Sequence, residues 1–379
     1  MKTKKIDKNL IKSQVLNNED IYVDCLLYLS NIKYASSLAD NFCCEIFHTY
    51  KFINAIGVKV ESKYLSEIVK CDYVKYISSA SRVFAQINTS KNIMNIDAFH
   101  SRGILGKGKC VAIIDTGIQP MPDFCIPRNR IRKFVDLIAQ KDMPYDDNGH
   151  GTFVSGVVAG NGLISNGVYS GVAPSCEIVS IKALDSHGEA SAFKILEAMQ
   201  WIYNNYHKYG INVVCMSFGS EPLEKNDPLV MGAEMLWKCG VVVVVASGNS
   251  GPNESTIKSP AISNRVITVG GLDDGRNSDG MYKVADFSSR GPAGNFFKPD
   301  ILAPAKDIIS NNNHLVGGKA YTTMSGTSVA TPMIAGVCLL LLQTYPYLSP
   351  EQVKGYILKC GNRITNNRNK EGFGYFVAR

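Results

Sequence analysis

Three textures of apolar and polar positions run along this chain, and each predicts a different kind of element. Between residues 21 and 83 the two classes alternate in short segments. That spacing predicts strands at 21–28, 44–50, 55–60 and 74–83, with helices at 33–41 and 63–69 between them. From Gly103 onward the strands change character. Cys110–Ile114 and Val241–Val245 are continuous apolar runs, the pattern of parallel strands covered on both faces. The third texture is one long run, Met333–Leu342. Its apolar positions are not confined to one stripe, which predicts a helix buried on all sides.

The first texture, read in order, is β-α-β-β-α-β, a ferredoxin-like unit. The second repeats strand, loop and helix, as a doubly wound parallel α/β sheet does. The predicted organisation is therefore a polar segment at 1–20, a small α+β domain at 21–84, a polar linker at 85–91 and a large α/β domain at 92–379. A chain of 379 residues is long enough to bury both cores.

Composition narrows the class. Apolar residues make up 45% and charged residues 19% of the chain, the balance of a soluble globular protein. Forty basic and 33 acidic residues give a net charge of +7. The excess is spread without a dense basic block interleaved with aromatics, so nucleic-acid binding is not the expected role. The basic start Met1-Lys2-Thr3-Lys4-Lys5 runs into polar sequence rather than the apolar stretch of a secretory signal. The run at 333–342 is too short to span a bilayer. Eleven cysteines, an odd number without a Cys-x-x-Cys pair, predict reduced thiols in a cytoplasmic protein.

Candidate chemistry collects where strands end and helices begin. The run Cys110–Ile114 closes on Asp115-Thr116-Gly117, which puts a carboxylate at the carboxyl end of a central strand, where open α/β sheets place their sites. His150 stands between Gly149 and Gly151 at the start of an apolar helical stretch, where other groups can approach closely. The strand ending in Ala246-Ser247-Gly248-Asn249 leads an amide side chain into a tight turn. Ser328, in Met324-Ser325-Gly326-Thr327-Ser328-Val329-Ala330-Thr331-Pro332, falls at the N-terminus of the buried helix, whose free N–H groups favour developing negative charge. Pro332 is expected in its first turn. Each of these also has a structural reading: a turn aspartate, a core histidine, a turn asparagine, a serine N-cap. Together they supply an orienting acid, a base, an oxyanion donor and a nucleophile.

These motifs resemble those of the subtilases, the subtilisin-like serine proteases. The likeness rests on Ala112-Ile113-Ile114-Asp115-Thr116-Gly117, His150-Gly151-Thr152, Ala246-Ser247-Gly248-Asn249 and Ser325 to Pro332, and covers Asn92 to the C-terminus. The order Asp, His, Ser is that of subtilisin and is part of the resemblance. It implies Ser328 as nucleophile, His150 as general base and then acid, and Asp115 as the carboxylate that holds the imidazole. Asn249, with the Ser328 backbone N–H, would form the oxyanion hole. It further implies Gly188-Glu189-Ala190 as one rim of a cleft that takes a peptide as an added strand. Ser217-Phe218-Gly219 and Ala246-Ser247-Gly248 would be walls of the pocket for the residue before the scissile bond. Residues 21–84 resemble the family's propeptide, an intramolecular chaperone and inhibitor, and the linker at 85–91 would be the place of self-cleavage.

Three positions depart from the family pattern. Phe153 stands where a second histidine is usual, outside the triad. The loop Gly160–Gly167 contains no Asp or Glu, so the structural calcium of secreted subtilisins is not carried over; no cofactor is expected. Lys258 falls where the family often has glycine at the floor of the specificity pocket. Its ammonium would favour an acidic side chain there, or else reach out to solvent. The implied function is an endopeptidase made as a self-inhibited precursor, acting on peptides and proteins, with its own propeptide as inhibitor. The alternatives are a subtilase-fold binding or regulatory protein without turnover, and a maturation protease dedicated to one precursor.

Overall fold

Alternation builds the first sheet. In β1 (Tyr22–Leu29) Cys25, Leu27 and Leu29 are buried and the residues between them are not, the period of a strand with one covered face. It lies between β3 (Ala55–Glu61) and β4 (Val74–Ser79), with β2 (Glu45–Tyr50) outside β3, all antiparallel. Helix α1 (Ala35–Phe42) contributes Ala35 and Leu38, and a short helix at Leu65–Ile68 contributes both its ends, to a core with Leu27, Ile56, Val58 and Ile77. The structure is a computed structural model that describes residues 5–6, 22–79, 89–223, 226–275, 280–314 and 320–379. It divides into two units, Met1–Gln86 and Ile87–Arg379.

Two expectations for the first ninety residues need amending. Within the polar segment Ile6 bridges Ile77 and the Lys5 ammonium donates to the Val74 carbonyl at 2.8 Å, so this start has a place on the small sheet. The linker expected at 85–91 lies partly outside the described residues, and its end, from Thr89, is the first turn of a helix at Thr89–Ile93. Lys91 there is held by Ser170 Oγ at 2.6 Å, a tie that a polar sequence alone does not announce.

The second unit is built on one ten-stranded sheet. Its strands are β5 (Cys110–Asp115), β6 (Ile131–Asp136), β7 (Glu177–Lys182), β8 (Ile211–Met216), β9 (Val242–Ala246) and β10 (Ile267–Asp273), then β11 (Lys283–Val284) and β12 (Ile301–Pro304). β13 (Ile308–Asn311) and β14 (Tyr321–Met324) form a separate hairpin, and β15 (Gly361–Asn362) and β16 (Tyr375–Phe376) complete the sheet. The order is β15-β16-β12-β10-β9-β8-β5-β7-β6, with β11 on β10. All pairs from β16 through β6 are parallel, and β15 and β11 add antiparallel edges. Every residue of β5, β7 and β9 is buried, as a sheet covered on both sides requires.

Four long helices fix the ends of these strands. Helix α2 (His150–Ala159) is buried except at His150, and α3 (Ala192–Tyr209) packs against α4 (Pro228–Lys238). Helix α5 (Thr327–Thr344) crosses β8, β9, β10 and β12 and packs on α2, buried from Val329 to Leu342. This is the helix the unbroken apolar run predicts. The surface helix α6 (Pro350–Lys359) begins with a Ser349/Gln352 capping box. Pro332 is not in the first turn of α5 but in its second, since the helix starts at Thr327. Having no N–H, it leaves the Ser328 carbonyl without the usual bond from four residues on. Gly336 marks a close approach of α5 to its neighbours: a Cβ there would lie 2.5 Å from the Val172 Cβ. Gly336→Ala in a Ser328→Ala background is expected to cost about 1–3 kcal/mol, read from the urea midpoint, and an unchanged midpoint would refute this packing.

Candidate active site

Asp115 ends β5 and is 1% exposed. Its Oδ1 accepts the Thr116 N–H at 2.8 Å and lies 2.8 Å from His150 Nδ1. A carboxylate can only accept in that contact, so Nδ1 carries the hydrogen and Nε2 keeps its lone pair. Asp115 Oδ2 is buried without a hydrogen-bond partner among the described residues. A carboxylate so poorly solvated favours positive charge beside it. Burial of His150 works against its protonation, but the charge and hydrogen bond of Asp115, with Asp146 further off, outweigh it and raise the imidazole pKa above its ordinary value.

The loop before His150 is held by Asp146, whose role the sequence reading passed over. Its Oδ1 accepts Thr116 Oγ1 at 2.9 Å and the N–H groups of Asn148 and Gly149 at 3.1 and 2.8 Å. Its Oδ2 accepts the Thr152 N–H at 2.8 Å and Thr152 Oγ1 at 2.6 Å. One carboxylate thus caps α2, whose first amides have no partner within the helix, and ties it to the residue after Asp115. Thr116 Oγ1 in turn accepts the Gly151 N–H at 2.9 Å. Gly151 is forced by this closeness: a Cβ there would sit 2.2 Å from the Gly117 carbonyl oxygen. Below, Lys182 of β7 is 0% exposed and donates to Thr116 O at 2.7 Å, Leu184 O at 3.0 Å and Asp147 Oδ1 at 2.6 Å. Sequence carried little signal for the part Asp146 plays, since it lies four residues before the helix start and the N-cap position is held by Gly149.

Asn249 follows β9, and its orientation is imposed by Thr327. Asn249 Oδ1 accepts the Thr327 N–H at 2.9 Å and Thr327 Oγ1 at 3.0 Å, which turns Nδ2 the other way. A Cβ built on Gly326 would lie 3.3 Å from that Nδ2 and 3.2 Å from Ser328 Oγ. Amide and hydroxyl therefore flank one point at the N-terminus of α5. Ser328 Oγ makes no hydrogen bond to His150 among the described residues. The helices that carry the two pack against each other, and such contacts often tighten only around substrate.

The remaining predicted positions fall into two groups. Gly188, Glu189 and Ala190 face Phe218 and Gly219 across a cleft of about 340 Å³ with Ile195 and Leu229 at its apolar base. The rim loop is closed by Asp185, whose Oδ1 accepts the His187 and Glu189 N–H groups. Ser217 is not in this cleft; it is buried beside Cys215, 3.7 Å from the sulfur. Ala246, Ser247 and Gly248 do not line this cleft: Ala246 and Ser247 are buried at the end of β9, and the Lys258 N–H donates to Ser247 O at 3.0 Å. The Lys258 ammonium reaches Glu221.

An acid-anchored imidazole, a hydroxyl at a helix start and an amide donor beside it are the parts of acyl transfer by a serine nucleophile. Comparisons with known proteins define the class. The subtilase family profile matches residues 106–375, and the chain belongs to the subtilase family. It is 40% identical to "Serine protease AprX" of Bacillus subtilis (strain 168) over 331 residues, 82% of this chain and 74% of that protein. It is 29% identical to "Thermostable alkaline protease" of Halalkalibacterium halodurans over 323 residues, 84% of this chain and 81% of that one. Among solved structures, "Sphericase" superposes with a TM-score of 0.66 at 26% identity, over 79% of this chain and all of its own. The α/β fold and the subtilisin-like serine endopeptidase class are thereby shown.

Subtilases often bind structural calcium, and the carboxylates of Asp123 and Asp300 do not fit it. The carboxylate that meets the 160–167 loop, Asp123, is already surrounded by donors: Ile164 N–H at 3.0 Å, Asn311 Nδ2 at 2.9 Å and Tyr321 OH at 2.6 Å. Asp300 is likewise occupied, by Lys298 at 2.6 Å and Lys354 at 3.1 Å. Hydrogens point where a cation would sit, and no cluster of three acidic, His or Cys ligands occurs among the described residues. Adding a chelator is expected to move the melting temperature by no more than about 2 °C, since a site that binds no ion contributes no linkage stabilisation; a larger fall, reversed by calcium, would contradict this. Asp146→Asn is expected to lower kcat by about 10- to 100-fold with the fold retained by circular dichroism, because displacement of the base is costly in rate; wild-type activity would show that the loop does not depend on it.

Proposed function

We propose that this protein hydrolyses peptide bonds through an acyl-enzyme on Ser328. The observation that carries the reading is the pairing of His150 Nδ1 with buried Asp115, alongside an Asn249 amide turned toward the Ser328 hydroxyl. His150 Nε2 takes the hydroxyl proton as Oγ attacks the substrate carbonyl. The oxyanion is met by Asn249 Nδ2 and by the Ser328 backbone N–H, one of the amides a helix start leaves open. His150 then returns the proton to the leaving amine, and water repeats the sequence on the ester. The substrate backbone lies as an added strand in the cleft between Gly188–Ala190 and Phe218–Gly219.

Residues 21–84 act, in this reading, as an inhibitor-like propeptide released by cleavage within 85–91. Support comes from the separate core of the N-terminal unit and from the family's usual organisation. The site of action is a reducing compartment, the cytoplasm, consistent with eleven unpaired thiols. Burial pushes the Cys215 thiol, behind the site, up to about 12, so it does not compete as nucleophile.

A fluorophosphonate probe is expected to label Ser328 in wild-type protein and not in Ser328→Ala, and absence of labelling would refute the reading. Asn249→Ala is expected to lose roughly 10²–10³ in kcat, the magnitude known for this donor in subtilisin; a loss below threefold would remove Asn249 from the oxyanion hole. Purified wild-type protein should be shorter than Ser328→Ala by the N-terminal unit, and equal masses would refute self-cleavage.

A further inference from the structure

Lys258 is packed closely at its base. Its stem runs between two glycines: a Cβ on Gly219 would lie 2.6 Å from the Lys258 Cβ, and one on Gly248 would lie 2.5 Å from its Cγ. The backbone on either side is pinned. The Lys258 N–H donates to Ser247 O at 3.0 Å, and Ser220 and Ser259 exchange backbone bonds at 3.0 and 2.9 Å. The next residue after Gly248 is Asn249, so this filled slot adjoins the oxyanion donor. In the subtilase resemblance these two stretches of backbone wall the pocket for the side chain that precedes the cleaved bond, which puts the Lys258 stem at its floor.

Two physical consequences follow. The four-carbon stem takes up depth, so a large aromatic side chain loses space it would have had over a glycine. The ammonium, on a side chain only 18% exposed, has Glu221 as its counter-ion, and the Glu221 side chain is 83% exposed. An exposed carboxylate on a flexible side chain gains little from such a pair and moves away at low cost. A carboxylate delivered by a substrate, held by its own backbone in the cleft, has already lost that freedom and binds the ammonium with less entropy to lose.

On these grounds, and resting on the peptidase reading above, we infer that Lys258 selects a substrate with an acidic side chain before the scissile bond. Glu221 occupies that carboxylate's place in the free enzyme. Glu221 is a stand-in that an acidic substrate displaces and a neutral one does not. The pocket therefore discriminates by charge first and by length second.

The test uses tetrapeptide anilides identical except for a final Glu, Gln or Phe, with Ser328 labelling by a fluorophosphonate run in parallel on each protein. For wild type, kcat/KM for Glu is expected to exceed that for its isostere Gln by about tenfold, as a close charge pair at a binding site gives. Lys258→Met keeps the stem and removes the charge, and should bring that ratio to one or below. Glu221→Gln removes the competitor and should raise the ratio further. Lys258→Gly restores depth and should raise cleavage after Phe by about tenfold or more, in line with the free energy of burying an aromatic side chain. A wild-type Glu:Gln ratio of one or less, or a ratio unchanged in Lys258→Met, with Ser328 still labelled, overturns this inference and leaves the peptidase reading standing. No cleavage of any peptide together with no labelling overturns both.

Discussion

The site depends on one hydrogen bond, between a carboxylate that the sheet has taken out of water and the imidazole of His150. Asp115 occupies the last position of β5, in the middle of a parallel sheet whose strands are covered on both sides. Its exposure of 1% means that protein must satisfy it. The Thr116 N–H and His150 do so through one oxygen. The same contact fixes the tautomer of the ring, points Nε2 away from the acid and raises the affinity of the ring for a proton. Orientation and basicity come from a single interaction.

Much of the surrounding polar structure keeps that contact in register. Asp146 binds both the residue after Asp115 and the first turn of α2, so the acid and the base are tied to one carboxylate. Lys182, fully buried in β7, holds the carbonyl of Thr116 from beneath. On the other side Thr327 sets the Asn249 amide and, as the residue before Ser328, couples that amide to the Ser328 hydroxyl. Small residues recur where neighbours come too close for a Cβ: Gly151 against the backbone of Gly117, and Gly219 and Gly248 against the side chain of Lys258. Strand ends and helix starts supply directions, and these buried polar groups supply tolerances.

What was legible in the sequence was whatever local pattern determines. The continuous run at 110–114 announced a central strand and, at its end, the position of Asp115. The glycines flanking His150 announced a crowded helix start, and the run at 333–342 announced a helix without a solvent face. Groups whose role is set by tertiary proximity were not legible. Asp146 and Lys182 read as ordinary charges until the chain brings them under Thr116. Thr327 reads as part of a motif, with nothing to show that it grips an amide 78 residues earlier. Pro332 was placed a turn too early because its position depends on where the helix begins, and that is decided by Gly326 and the hairpin before it. Ser217 was grouped with the pocket walls through the family motif it stands in, whereas it lies just past the end of β8, buried beside Cys215.

The most direct measurement is the titration of His150 itself, followed by NMR of imidazole-labelled Ser328→Ala protein, in which the ring is observed without turnover. A ring that both donates to buried Asp115 and lies within its field must protonate above the ordinary histidine value of about 6.5. Asp115→Asn must then bring the midpoint down, since the opposing effect of burial is left with only the more distant charge of Asp146 against it. A His150 midpoint at or below that ordinary value, unmoved by Asp115→Asn, would contradict the account.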